Sequence, residues 1–259
     1  MKKISILFFA FLLILTSSGL TTCFAEPVTI YFYNPESSID NFAMLKTNFD
    51  DYLLKQGSYQ FQPFNNMEKF EEKLDKKNSI YLLSSWHFNT LQKKYPLKIA
   101  LLGTYKDTIK QKKVLCAKKE IVDLTMLKTI KVIAGAGSEA YSRSILQQIL
   151  GTRYKEIDEI RILKVPKDID ALMAVGFGMA EAAISAEGTL KYLEDINPNQ
   201  YKQLNYLGYS EANYLLVAAT MDKPDKLESK LLDILYNMPA DEKSQRDLLL
   251  LGLDGWKWK

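Results

Sequence analysis

Little in this 259-residue chain points to covalent chemistry. It holds one histidine, His87, and two cysteines, Cys23 and Cys116. A histidine without a partner histidine or a nearby cysteine gives no support to a His/Cys metal site. A Ser-His-Asp triad would have to use His87, and no Gly-x-Ser-x-Gly elbow accompanies it. The net charge is only +3, so a strong nucleic-acid footprint is missing. There is no internal repeat and no low-complexity segment. One long apolar stretch exists, and it lies at the very start.

That stretch runs from Ile4 to Leu15, broken only by Ser5, behind the basic pair Lys2 and Lys3. Ser17, Ser18 and Gly19 follow, then Cys23-Phe24-Ala25. It is too short for a comfortable membrane span of about 20 residues. The pattern fits a secretory signal peptide over residues 1–25, cut after Ala25, which leaves a mature start near Glu26 in the periplasm or cell envelope. Two alternatives stay open: an uncleaved anchor, and lipid anchoring at Cys23. Leu20-Thr21-Thr22-Cys23 resembles a lipobox, with an unusual threonine before the cysteine. Removing Lys2 and Lys3 lowers the charge from +3 to about +1. Only Cys116 then remains, so no internal disulfide can form. The mature chain must rest on apolar cores, and its length allows one large core or two smaller ones.

Strand-like and helix-like segments alternate, which argues for α/β layers with a largely parallel sheet. Strands are expected at 28–33, 59–61, 80–83 and 97–102, with helices over 39–54 and 66–74. Beyond Gly103 the pattern restarts. Strands are expected at 114–117, 132–134, 160–163, 180–185, 204–207 and 214–219. Helical segments alternate with them at 123–127, from Ser138, and at 167–175 and 189–193; two more follow at 223–236 and 241–251. Two α/β halves with a cleft between them are the natural reading, and ligands favour such interfaces.

The most informative junction is Lys131-Val132-Ile133-Ala134, a buried strand, followed by the turn Gly135-Ala136-Gly137-Ser138. Tyr141, Ile145, Leu146, Ile149 and Leu150 then repeat at helical spacing, and Gly151 stops the helix. A strand-to-helix junction of this kind presents free backbone N–H groups and the positive end of a helix dipole to a small anion. Gly135-x-Gly137-x-x-Ala140 also matches the dinucleotide-binding fingerprint. An export signal speaks against that reading, as does the next strand, which ends in Lys164-Val165-Pro166 without a ribose-binding acid.

The order of segments resembles a type II periplasmic binding protein, and more narrowly the phosphate/phosphite/phosphonate branch of ABC-transporter solute receptors. The stretches that carry the resemblance are Asn78 to Ser85, Gly103-Thr104-Tyr105, Ile121 to Leu124 with Val132, Gly137-Ser138-Glu139-Ala140-Tyr141, Ala171 to Ile184, and Leu251 to Trp256. The resemblance implies a two-lobed α/β fold with a ligand cleft between the lobes. Residues 26–103 and 210–259 would form lobe 1 and residues 104–209 lobe 2. Crossovers would fall near 103–112 and 203–209, with hinged closure around the solute. One departure matters. Phosphonate receptors place a run of Ser and Thr before Gly at this helix start, whereas here one hydroxyl remains and Glu139 adds a charge. If Glu139 faces the cleft, a dianion is disfavoured, and the ligand is neutral, zwitterionic or cationic.

Candidate ligand residues follow. Ser138 is an N-cap with N–H groups left over for a ligand. Glu139 suits the helix dipole whether or not a ligand is present, and Tyr141 follows it. Tyr33 and Asn34 end the first strand, where α/β proteins place ligand groups; a plain turn before Pro35 reads equally well. Ser84, Ser85 and Trp86 end another strand, and Ser85 is a candidate helix cap. Tyr105, and more weakly Tyr209, sit by the crossovers, where a ring can pack on a ligand or simply cover the hinge. Glu181 takes the place of an acidic residue that faces the cleft in relatives, or is a solvated strand end. The basic runs 106–113 and 118–119 read as a solvated face.

Taken together, these features lead to a non-enzymatic receptor, without cofactor or metal, that captures a small polar solute, phosphate- or phosphonate-like in the resemblance. It would be a monomer that serves a membrane permease and binds no nucleic acid. A ligand-sensing module of the same fold without a transport role is the alternative.

Overall fold

The computed structural model describes residues 27–36, 39, 41–157 and 159–259. The expected signal peptide, its expected cleavage site and the lipobox-like stretch at 20–23 lie outside the described residues. Among those described, no helix is long and apolar enough to cross a membrane.

Two sheets carry the fold. The first contains β1 (Val28–Tyr33), β2 (Tyr59–Pro63), β3 (Ser79–Leu83), β4 (Leu97–Thr104), β12 (Val217–Met221) and β13 (Gly255–Trp258), in the order β13-β4-β12-β3-β1-β2. The second contains β6 (Lys113–Lys118), β7 (Val132–Ala136), β8 (Arg161–Val165), β9 (Ala182–Ala186) and β10 (Leu204–Tyr209), in the order β10-β6-β9-β7-β8. In each sheet three neighbouring strands are parallel. β12 is antiparallel to β3 and β4, and β6 is antiparallel to β9 and β10. Both sheets are therefore mixed rather than largely parallel. The physical reason is the route of the chain. β6 and β12 are the first strands after the chain changes sheets, so they start at the junction and run away from it, against their parallel neighbours.

Both faces of each sheet are covered, and alternation along the strands assigns the side chains. In β1, Ile30 and Phe32 join one core cluster, while Tyr31 and Tyr33 pack with another. In β6, Leu115 and Ala117 face one cluster and Val114 and Cys116 the other. This is period-2 sorting with both sides buried. Helix α1 (Phe42–Leu53) covers the first sheet with Leu45, Phe49 and Leu53, spaced four apart on one stripe. Phe49 stacks on Phe61 of β2 with ring centroids 4.3 Å apart. Asn41 caps α1 by accepting from the Met44 N–H, and Asn66 caps α2 (Met67–Glu71) through the Lys69 N–H. Burial pushes the Cys116 thiol up to about 12, so it behaves as a core side chain.

The two passages between sheets run side by side. β5 (Lys110–Gln111) pairs antiparallel with β11 (Asn213–Tyr214). The second crossover therefore lies at 210–216 instead of 203–209, because Leu204–Tyr209 is an edge strand paired with β6. The single strand expected at 214–219 is split at Leu216 between the hinge and the first sheet. Ser85 is not a helix cap; Ser84 is, accepting from the His87 N–H at the head of α3 (Ser85–Leu91). The Ser85 hydroxyl instead donates to the Tyr214 carbonyl at 2.9 Å and ties α3 to the hinge.

Candidate functional site

The C-terminal ends of β1 and β3 in one sheet meet those of β7 and β9 in the other, the position where open α/β sheets bind ligands. From β1 the chain enters Asn34-Pro35-Glu36. The Asn34 side chain accepts from the Glu36 N–H at 2.9 Å, an Asx-type turn. This turn reaches the opposite lobe at two points. The Tyr141 hydroxyl, on α4 (Glu139–Leu150), donates to Glu36 Oε2 at 2.7 Å. Gly137, with φ of 87°, lies so close that a Cβ there would overlap the Pro35 carbonyl oxygen. The Trp86 ring adds an edge contact to Tyr141, with centroids 5.9 Å apart.

Behind Glu36 lies an ion pair. Lys113, the first residue of β6, places Nζ 2.8 Å from Asp168 Oδ2; the side chains are 7% and 16% exposed. The same oxygen accepts from the Ala186 N–H at 2.7 Å. Asp168 opens helix α5 (Asp168–Gly176), where an acid suits the dipole. Burial is the largest influence on Glu36 and pushes its pKa up; Lys113, Tyr141 and Ser84 pull it down without cancelling the effect. For Lys113 burial is again the largest influence, here downward, but Asp168 and Glu36 together hold the ammonium pKa above its ordinary value.

The Asn34–Glu36 turn divides the cleft. On one side a cavity of about 310 Å³ is lined by Glu36, Lys113, Asp168, Gln111, Thr189 and Leu253, among others. On the other, a cavity of about 260 Å³ is lined by Tyr33, Asn34, Pro35, Gly137, Ser138 and Lys164, among others. Asn34 borders both.

Of the residues singled out by sequence, Tyr33, Asn34 and Ser138 line the second cavity. Ser84 is fully buried, and together with Tyr141 it acts on the Glu36 carboxylate. Ser138 caps α4 through the Tyr141 N–H, and Gly151, with φ of 54°, ends that helix. The other eight, Ser84, Ser85, Trp86 and Tyr141 among them, border neither cavity. Tyr105 is 40% exposed, with the Lys106 ammonium over its ring, and Tyr209 is exposed at the end of β10. Glu139 is exposed and pairs with Arg143 one turn on, at 2.8 Å. Its charge is therefore spent on the helix surface, and Glu139→Ala should leave ligand affinity unchanged and shift stability by no more than about 0.5 kcal/mol. Calorimetry and thermal melts check both.

Glu181 lies at the strand ends away from the cleft. Its carboxylate accepts from the Val132 and Lys131 N–H groups at 2.7 and 3.1 Å. Burial is the largest single influence on its pKa and acts upward; the two backbone bonds and Lys118 outweigh it, and the net shift is downward. Glu181→Gln should cost about 1 kcal/mol of stability and leave binding untouched. A folded pKa below the unfolded one means that this stabilisation is present above the ordinary carboxylate range and fades as pH falls through the lowered value. Denaturant titrations at pH 7 and pH 3.5 should show the wild-type advantage shrink.

Sequence reading missed Glu36, Lys113 and Asp168. Lys113 closes a lysine-rich run that reads as solvated, yet it is buried because it starts an interior strand opposite an acid. His87 is buried, with Nε2 2.8 Å from Glu71 Oε1. Burial is the main influence on its pKa and lowers it despite that partner. Among the described residues no group of three or more His, Cys, Asp or Glu could hold a metal ion.

No protein-family model matches the chain, and a search of curated proteins finds no match. Solved structures do match. A binding-protein component of an ABC phosphonate transporter from Pseudomonas aeruginosa superposes with a TM-score of 0.60 at 15% identity, covering 91% of this chain and 82% of that one. PhnD1 from Prochlorococcus marinus, in complex with methylphosphonate, gives 0.62 at 11% identity, covering 90% and 93%. XAC2383 from Xanthomonas citri, bound to chloride ion, gives 0.64 at 11% identity, covering 90% and 91%. At these identities the similarity shows a common fold.

Proposed function

We propose that this chain, which has the two-lobed fold of type II periplasmic binding proteins, is a solute receptor of the cell envelope. It closes its lobes on one small polar molecule and passes it to a membrane permease. The observation that carries the reading is the polar cavity of about 310 Å³ at the strand ends, walled by Glu36 from one lobe and by Lys113 and Asp168 from the other. A site split between lobes that are joined by two paired crossovers binds best when the lobes meet, and a solute that contacts both shifts the population toward closure. Binding, not bond-making, is the activity supported.

Export completes the reading. N-terminal sequencing of envelope material should find a start near Glu26, or a lipidated Cys23; a cytosolic chain retaining Met1 would reject it. The receptor function is tested by thermal melts against a library of small solutes, followed by calorimetry on the hits. One solute should bind at one-to-one stoichiometry and raise the melting temperature. A library spanning oxyanions, amino acids, amines and sugars without a single hit would contradict the reading.

A further inference from the structure

We infer that the solute is a small alkylammonium cation and that Glu36 is its counter-ion. The inference rests on the receptor reading and deepens it. The charged side chains that line the larger cavity are Glu36, Asp168 and Lys113, a net charge of one negative when all three are ionised. Lys113 is already matched, because Asp168 Oδ2 stands 2.8 Å from its ammonium nitrogen. Asp168 also takes the Ala186 N–H at the head of helix α6 (Glu187–Ile196), so the chain's own carboxylate fills that anion-favouring position. Glu36 forms no ion pair within 4.0 Å among the described residues. Its bond from Tyr141 is neutral. Its hydrogen-bond partners are hydroxyls, and the Lys113 ammonium acts on it from beyond ion-pair distance while Asp168 holds that ammonium closely. At a desolvated lobe junction this carboxylate is the group whose charge is least matched.

The rest of the wall fits the same ligand. Leu215, Leu251 and Leu253 supply an apolar side suited to a short alkyl chain, while Gln111 and Thr189 offer polar groups for a second end. An oxyanion entering here would face two carboxylates and a lysine already engaged. Like charges in a poorly hydrated space repel strongly. The fold matches receptors with oxyanion ligands, but the charge placed by Glu36 inverts the preference at this cavity.

The test uses the mature wild-type protein, Glu36→Gln and Glu36→Ala. Gln keeps a partner for the Tyr141 hydroxyl and removes only the charge. Calorimetry is run with ethanolamine, choline, putrescine and agmatine, and separately with phosphate and methylphosphonate. We expect at least one amine to bind wild type one-to-one, with a loss of at least tenfold in Glu36→Gln and no smaller loss in Glu36→Ala, while both oxyanions stay silent. Thermal melts confirm that both variants fold. Oxyanion binding without amine binding would overturn the inference and leave the receptor standing. Amine affinity unchanged by Glu36→Gln would also overturn it. If neither set of probes binds, the inference falls, and the broader solute library decides whether the receptor reading falls with it.

Discussion

Gly137→Ala should weaken solute binding by about a hundredfold or more, equal to about 2.8 kcal/mol, while each lobe stays folded. Two effects add. The backbone at 137 has φ of 87°, a conformation that costs an L-residue roughly 1–2 kcal/mol. The added methyl would also overlap the Pro35 carbonyl oxygen of the other lobe. A backbone oxygen cannot rotate out of the way, so the lobes must part. Parting breaks the Tyr141–Glu36 hydrogen bond and opens both cavities to water. Small-angle scattering should show a larger radius of gyration for the variant when solute is present. Tight binding with wild-type compactness would mean that the lobes need not meet at Gly137.

Asp168→Ala should be the most destabilising single change at the site, about 3 kcal/mol, because it strands the buried Lys113 ammonium. It also leaves the Ala186 N–H without its acceptor. For a chain of this size the melting temperature should fall by about 6–12 °C. The double variant Lys113→Met with Asp168→Ala should recover much of the loss, since removing both charges avoids the unpaired ion. No recovery would show that Asp168 acts mainly through the backbone of β9 and α6.

Much of this was readable before the structure. The glycine turn and helix from Ser138 followed from spacing and capping, both local, and the structure keeps them residue for residue from the Ser138 cap to Gly151. The strands at 28–33 and 80–83 were equally legible, and the structure keeps both. What was hidden depends on long separations. Glu36 meets Tyr141 from 105 positions away, and nothing local distinguishes an acid after Asn-Pro from any turn residue. Lys113 and Asp168 are 55 apart; the first sits in a lysine-rich run and the second at an ordinary helix start. Glu181 and Glu139 misled for the complementary reason. Each lies beside a cleft motif in sequence, but strand direction in one case and helix rotation in the other turn it away. Antiparallel β6 and β12 were equally hidden, because their direction is set by the crossovers rather than by their own residues.

Native mass spectrometry of protein purified gently from its host, wild type beside Gly137→Ala, tests the central claim most directly. The account predicts one small adduct per wild-type chain, lost on unfolding, and its absence from Gly137→Ala. An adduct retained equally by both proteins, or a bare chain for both, would contradict a solute held between closing lobes.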